Sequence, residues 1–183
     1  VSLIETEGGK AVGLCGIDGA MIKCVKKTDD GFDYGFVGEI TEIDPAPIEK
    51  ILEEDYIPVI ATVGIDSEGQ VYNINADTAA CKIAEALHAR KLVFMSDVPG
   101  ILADCNDESS VIATICTADI DKLIKEGVLS GGMLPKIASC VSALDSGINK
   151  VHMIDGRQKH SLLLEIFTSN GVGTQIVRPD SVM

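Results

Sequence analysis

Tryptophan is absent from this sequence, and only 4% of its 183 residues are aromatic. A core without large rings has to be assembled from aliphatic side chains packed to native density. Positive charge is scarce: 15 Lys and Arg face 28 Asp and Glu, for a net charge of −13 at pH 7. A field of that sign repels polyanions, which excludes nucleic acid and anionic membrane surfaces as partners. Small anions are not excluded, provided their site is locally positive. No stretch approaches the roughly 18 uninterrupted apolar residues that span a bilayer. The first residues do not read as a basic-then-apolar leader. The six cysteines, Cys15, Cys24, Cys81, Cys105, Cys116 and Cys140, contain no CxxC pair. Most lie in apolar surroundings, so reduced thiols in the cytoplasm are the expectation. His88, His152 and His160 have no metal-ligand spacing, and His88 reads as a helix-surface residue. GxxxxGKS/T and GxGxxG are both missing, and no Ser/His/Asp or Cys/His grouping has local support as a nucleophile.

What is present is apolar content of 46% and 18 glycines, enough for one domain with a real core and many permissive turns. A helix end runs into Gly8-Gly9, and Ala11–Cys15 reads as a strand. Met21–Lys27, a turn at Asp29-Asp30-Gly31 and Phe32–Ile43 read as a hairpin. Pro45 and Pro47 open a short helix through Leu52. The β-branched run Ile57–Val63 predicts a buried strand. Asp66–Gly69 is a turn before Val71-Tyr72-Asn73. Ala76, Ala79, Ala80, Ile83, Ala84 and Leu87 lie on one face of a helix that Asn75 caps. Lys91–Met95, Lys150–Ile154 and Gly173–Val177 read as strands. Helices follow Thr117, the Gly131-Gly132 pair and Ser161, with Asp104–Ser110 as a surface loop. Strands alternate with helices from Ile57 onward, which predicts an α/β protein with a largely parallel sheet. Ligands of such folds sit beyond the C-terminal strand ends, near helix N-termini.

Three segments fall at such ends. Asn73, Asn75 and Asp77 stand at the mouth of a helix; a turn and N-cap explain Asn75 but not Asn73. Ser96-Asp97-Val98-Pro99-Gly100-Ile101-Leu102 is either a plain Pro-Gly turn or a loop around a base and ribose. Ser130-Gly131-Gly132-Met133-Leu134-Pro135-Lys136 offers backbone N–H groups to phosphate oxygens. Lys136 stands in the first helical turn, where the helix dipole disfavours a cation; either an anion belongs beside it or it is simply solvated.

Taken together, the segments resemble acetylglutamate kinases of the amino acid kinase family. The matching stretches are Gly8–Gly19, Gly35–Ile40, Ile57–Gly64, Tyr72–Asp77, Ser96–Leu102, Gly127–Lys136, Val151–Arg157 and His160–Thr174, in family order. The resemblance implies a three-layer αβα sandwich with a mainly parallel central sheet, and phosphorylation of the γ-carboxylate of N-acetyl-L-glutamate by Mg-ATP in arginine biosynthesis. It implies that Lys136 stabilises charge on the transferring phosphate and that Asp77 orients catalytic lysines. A carboxylate nucleophile is already ionised at pH 7, so no general base is needed. It further implies that Asn73, with Asn75 beside it, holds the substrate. Ser96, Asp97, Val98, Pro99, Gly100, Ile101 and Leu102 would contact the nucleotide from one side, and Val128, Leu129, Ser130, Gly131, Gly132 and Met133 from the other. Mg²⁺ is expected on phosphates and water, with no protein metal ligands.

His160, Glu165, Gly171 and Gly173 resemble the pattern of members that L-arginine feedback-inhibits, Glu165 being a sensible guanidinium partner. The competing reading makes Leu162, Leu163, Leu164 and Ile166 an ordinary core helix with Glu165 on its wet face. The sequence departs from the family in two ways. The family's N-terminal part, with a catalytic lysine, glycine loops and a substrate-gripping arginine, is missing, and Ile17 stands where many relatives have Lys. Residues 1–183 are therefore expected to be a single domain, the C-terminal ATP-binding portion of the kinase, and inactive alone. A glutamate 5-kinase or carbamate kinase, or a non-catalytic ATP- or arginine-binding module, are the alternatives. A homo-oligomeric parent and a PII-type signal-protein partner are further implications of the resemblance.

Overall fold

The computed structural model describes residues 1–29, 31–168 and 171–181. Asp30 of the expected turn, and Ser169 and Asn170 of the stretch beginning at His160, lie outside the described residues. The chain divides into two compact units, Val1–Leu87 and His88–Met183.

The first unit begins with α1 (Ser2–Thr6), which ends at Gly8 with φ +85°. Strand β1 (Ala11–Cys15) follows, then β2 (Ile22–Asp29) and β3 (Phe32–Ile43), an antiparallel hairpin. Next come α2 (Ala46–Glu53), β4 (Ile57–Ala61), β5 (Val63–Ile65), β6 (Val71–Asn73) and α3 (Ala76–Ala86). Strands β2, β3, β6 and β5 close on themselves as a small barrel. Such a tight ring needs backbone where side chains would collide. A Cβ at Gly38 would come within 2.8 Å of Ile74 and Tyr72, and one at Gly64 within 2.8 Å of the Cys24 sulfur. The core is aliphatic, as a chain without tryptophan requires: Met21, Ile22, Cys24, Ile48, Ile74 and Ala79 around the one ring of Tyr72.

Strands β1 and β4 form a separate two-stranded parallel sheet, with Val12 opposite Pro58 and Gly13 opposite Val59. Here the structure corrects the expectation of a buried strand through Val63. The run breaks after Ala61, and Ile57 and Val59 are 50% and 38% exposed. Only the opposite face is covered, where Ile60 packs on the core. A β-branched run reports strand conformation, while burial on both faces also needs neighbouring layers.

The second unit holds β7 (Lys91–Ser96), β8 (Thr114–Cys116), α4 (Ile120–Lys125), α5 (Met133–Asp145), β9 (Lys150–Asp155), α6 (Ser161–Phe167) and β10 (Thr174–Val177). The strand order is β7-β9-β10-β8; β7/β9 and β8/β10 are parallel and β9/β10 antiparallel. Val151, His152, Met153 and Ile154 on β9 are all buried, so this strand is covered on both faces. Helices α5 and α6 both pack against it.

Three local expectations change. Thr117 opens a short 3-10 turn, Thr117–Asp119, instead of capping α4. Ser161 is the first residue of α6, and the position before it is His160 in the left-handed conformation, φ +61°. His88 lies past the end of α3 in a left-handed turn, φ +49°, not on the helix. Among the described residues no helix is long and apolar enough to cross a membrane.

Candidate functional site

The Asn73–Asp77 segment belongs to the first unit. Asn73 ends β6, paired with Val63 and Val37, and is exposed. Asn75 caps α3: its side-chain oxygen accepts from the Thr78 N–H at 3.0 Å and the Thr78 hydroxyl at 3.2 Å. The cap spends the carbonyl and not the amide NH₂, so the cap does not preclude substrate contact. Asn75 also borders a cavity of about 300 Å³ with Lys27, Val37 and Gly38. Asp77 is half-buried in the first turn of α3. One turn on, burial pushes the Cys81 thiol up to about 11, and the Asp77 charge adds to the rise.

The Ser96–Leu102 and Gly127–Lys136 segments belong to the second unit. The first leaves the end of β7 and is a built turn. Ile101 is fully buried, and its N–H donates to the Thr174 hydroxyl at 2.8 Å. Its carbonyl accepts from the Ile112 N–H at 2.8 Å. Gly100 has φ +153°, and a Cβ there would come 2.8 Å from the Thr174 hydroxyl. Asp97 stays exposed. The second segment turns at Gly127, φ +79°, with the Val128 and Leu129 N–H groups both on the Leu123 carbonyl. Leu129 is buried and Ser130 exposed. Gly131 has φ +56°, and a Cβ at Gly131 or Gly132 would meet nothing within 4 Å. Helix α5 starts there, with no side-chain cap among the described residues. Lys136, half-buried in its first turn, reaches over the Phe94 ring on β7, 5.8 Å from the centroid. The lysine and the 97–102 loop are thus both tied to the C-terminal half of β7.

Glu165 does not lie on a wet face. It is 8% exposed, and α6 instead turns Leu162, Leu163, Ile166 and Phe167 outward. One carboxylate oxygen lies 2.6 Å from His152 Nδ1; the other accepts from the Val172 N–H at 2.7 Å and the Gly173 N–H at 3.0 Å. Burial by itself raises the carboxyl, but these hydrogen bonds outweigh it and hold Glu165 below the usual carboxylate range. His152 Nε2 is buried with no hydrogen-bond partner among the described residues. Glu165, His152 and Gly171 line a polar cavity of about 420 Å³ together with Lys91, Thr114 and Lys150. Lys91 and Lys150 are register partners at the starts of β7 and β9, which puts two cations side by side.

Of the four residues expected around arginine, Glu165 and Gly171 line this cavity. His160 is exposed ahead of α6. Gly173 lies against the Met153 carbonyl of β9, where a side chain would collide. The sequence reading missed Lys91, Lys150, His152 and Thr114, which come together only through strand pairing. Among the described residues no three His, Cys, Asp or Glu cluster as a metal site, and none of the six cysteines is in a disulfide.

Residues 1–155 match the sequence pattern of the amino acid kinase family. The chain belongs to this family. It is similar to an acetylglutamate kinase of Brachyspira hyodysenteriae, with 52% identity over 95% of this chain and 60% of that protein. It is also similar to an acetylglutamate kinase of Clostridioides difficile, with 50% identity over 96% of this chain and 61% of that protein. The chain therefore spans about three fifths of the length of the curated relatives it matches. Among solved structures it is similar to N-acetylglutamate synthase from Neisseria gonorrhoeae complexed with coenzyme A and L-arginine. That likeness has a TM-score of 0.80 and 25% identity, and covers 92% of this chain and 38% of the other. The α/β class and parallel-rich sheets are those of the amino acid kinase family.

Proposed function

We propose that the chain is the ATP-binding portion of an enzyme that phosphorylates the γ-carboxylate of N-acetyl-L-glutamate in arginine biosynthesis. The observation that carries this reading is the start of α5. An open glycine turn leads into a helix N-terminus with Lys136 in its first turn, beside the strand that feeds the Ser96–Leu102 loop. Phosphoryl transfer asks a protein for positioning and charge neutralisation more than for covalent chemistry. A carboxylate oxygen of the substrate bonds to the γ-phosphorus as the bond to the ADP oxygen breaks. Lys136 and the backbone N–H groups of the glycine turn stabilise the charge on the phosphoryl oxygens. Asp77 orients the catalytic lysines, and Asn73 and Asn75 hold the substrate. Mg²⁺ would be held by the nucleotide's phosphates and water, with no side chain of this chain assigned to it, and would supply charge neutralisation. The chain's own residues bind base, ribose and phosphate.

The Glu165 cavity favours a second reading on the same chain, a site for L-arginine as feedback inhibitor. A buried carboxylate suits a guanidinium, and the Lys91–Lys150 pair suits the amino acid's carboxylate. The Neisseria gonorrhoeae synthase was itself crystallised with L-arginine. A cytoplasmic, homo-oligomeric parent open to a PII-type partner belongs to the same proposal.

The test is ADP release with acetylglutamate, glutamate and carbamate as acceptors. Turnover is expected with acetylglutamate in the full-length kinase and little or none in residues 1–183 alone. Calorimetry of residues 1–183 with Mg-ATP and L-arginine separates a binding module from an inert one. Preference for glutamate or carbamate would overturn the substrate assignment.

A further inference from the structure

Thr174 is a fully buried polar residue that no role above absorbs. Its backbone belongs to the β9/β10 ladder, opposite Met153. Its hydroxyl accepts the Ile101 N–H at 2.8 Å, from a residue 73 positions earlier in the chain. Gly100 closes on the same hydroxyl, since a Cβ there would stand 2.8 Å from it. The two residues before Thr174 are gripped from behind, because one oxygen of Glu165 accepts both the Val172 and the Gly173 N–H. A single peptide therefore separates the carboxylate that walls the polar cavity from the hydroxyl that holds the loop.

We propose that Thr174 is a positioning residue for the nucleotide loop, and that Glu165 sets it in place. The inference rests on the assignment of Ser96–Leu102 to nucleotide binding. A buried backbone N–H without an acceptor is costly, so the loop takes the shape in which the Thr174 hydroxyl reaches Ile101. The hydroxyl in turn stands where the carboxylate holds the 172–173 turn. A cation entering the cavity and drawing Glu165 toward itself loosens that turn, and the loosening is delivered to Ile101. Cavity and loop are then coupled through two hydrogen-bonded links and one peptide, all within the second unit.

The experiment is amide hydrogen exchange and Mg-ATP calorimetry on residues 1–183 carrying Thr174→Val, Thr174→Ser or Glu165→Gln. The ladder amides of Val151 and Ile176 serve as internal references. Thr174→Val should speed Ile101 exchange about tenfold or more relative to the references and weaken Mg-ATP to a similar degree. Thr174→Ser keeps the hydroxyl and should restore both. Glu165→Gln should speed Ile101 as well, although Thr174 is untouched. The proposal is overturned if Thr174→Val leaves Ile101 at its reference ratio, or if Glu165→Gln moves Val172 and Gly173 but not Ile101. Equal acceleration of Ile101 and the ladder amides overturns it too, since that reports global destabilisation. If the exchange pattern holds but the unmodified chain binds no Mg-ATP, the nucleotide reading of the loop fails while the positioning by Thr174 stands.

Discussion

Some polar groups in this molecule are completed by the chain itself, and others are left open. The start of α3 is of the first kind: the Asn75 oxygen takes the Thr78 N–H, and the helix end is closed. The Glu165 carboxylate is another, with His152 and two backbone N–H groups around it. The start of α5 is of the second kind. Among the described residues no side chain caps it, its glycine turn faces open space, and a lysine sits in the turn where the helix dipole opposes a cation. The closed groups set the positions of other residues, whereas under the proposed function the start of α5 is where an anionic ligand would bind. Under the proposed function, the contrast separates residues that hold the fold from residues that bind phosphate.

The largest expected effect is at the open end. Lys136→Ala in the full-length kinase should lower kcat by about 100- to 1000-fold, on the order of 3–4 kcal/mol of transition-state stabilisation, with little change in melting. Near-normal kcat would remove Lys136 from any catalytic role.

At a closed centre the effect should fall on stability instead. Glu165→Ala strands His152 and two backbone N–H groups, costing about 2–4 kcal/mol by denaturant unfolding. The pH dependence has a definite sign. The Glu165 carboxyl is held low in the folded chain. Its contribution is therefore present above the unfolded value, about 4.3, and is lost as pH falls through the lower folded value. The stability difference between the native chain and Glu165→Gln should shrink below that pH. A difference that persists undiminished in strong acid would show that the carboxylate is not what holds the turn.

Asn75→Ala should cost about 1 kcal/mol, the ordinary value of an N-cap, and Asn75→Asp should recover most of it. Failure of Asp to recover substrate affinity, while it recovers stability, would assign the unspent amide NH₂ to the substrate.

The smallest effects distinguish the two glycines of the open turn. Gly131→Ala meets no clash but must hold φ +56°, a strain of about 1 kcal/mol. Gly132→Ala, at φ −65°, should be within about 0.5 kcal/mol of neutral in stability. A clear loss of Mg-ATP affinity in Gly132→Ala would show that phosphate approaches the backbone there.

Much of this was legible in the sequence because it is local. The Asn75 cap, the helix end at Gly8, and the limits of β1 and β3 all follow from rules that act within a few residues. What was missed is set by tertiary partners. The sequence singles out Glu165 as a guanidinium partner, but its burial is set by the 172–173 turn and His152. Thr114–Cys116 is too short to announce a strand and becomes one by pairing with β10. The left-handed backbone of His160, φ +61°, is not legible in a residue that is not glycine. Lys91 and Lys150 lie 59 positions apart in the sequence and meet only through the register of β7 and β9.

Pro58 has a consequence for handling the protein. In the β1/β4 sheet the Ile57 N–H points inward to the Lys10 carbonyl, and the Ala61 carbonyl points inward to Gly16. Residues 57, 59 and 61 thus face β1, and the backbone of 58 and 60 faces away from it. At 58 there is no N–H to offer, which leaves Ile60 as the sole donor of β4 on that side. In residues 1–183 on their own Ile57 and Val59 are exposed, and a second donor on that side would favour stacking of copies. In residues 1–183 on their own, Pro58→Val adds a second donor on the side of β4 away from β1, and a lower precipitation threshold for the variant is the expected outcome.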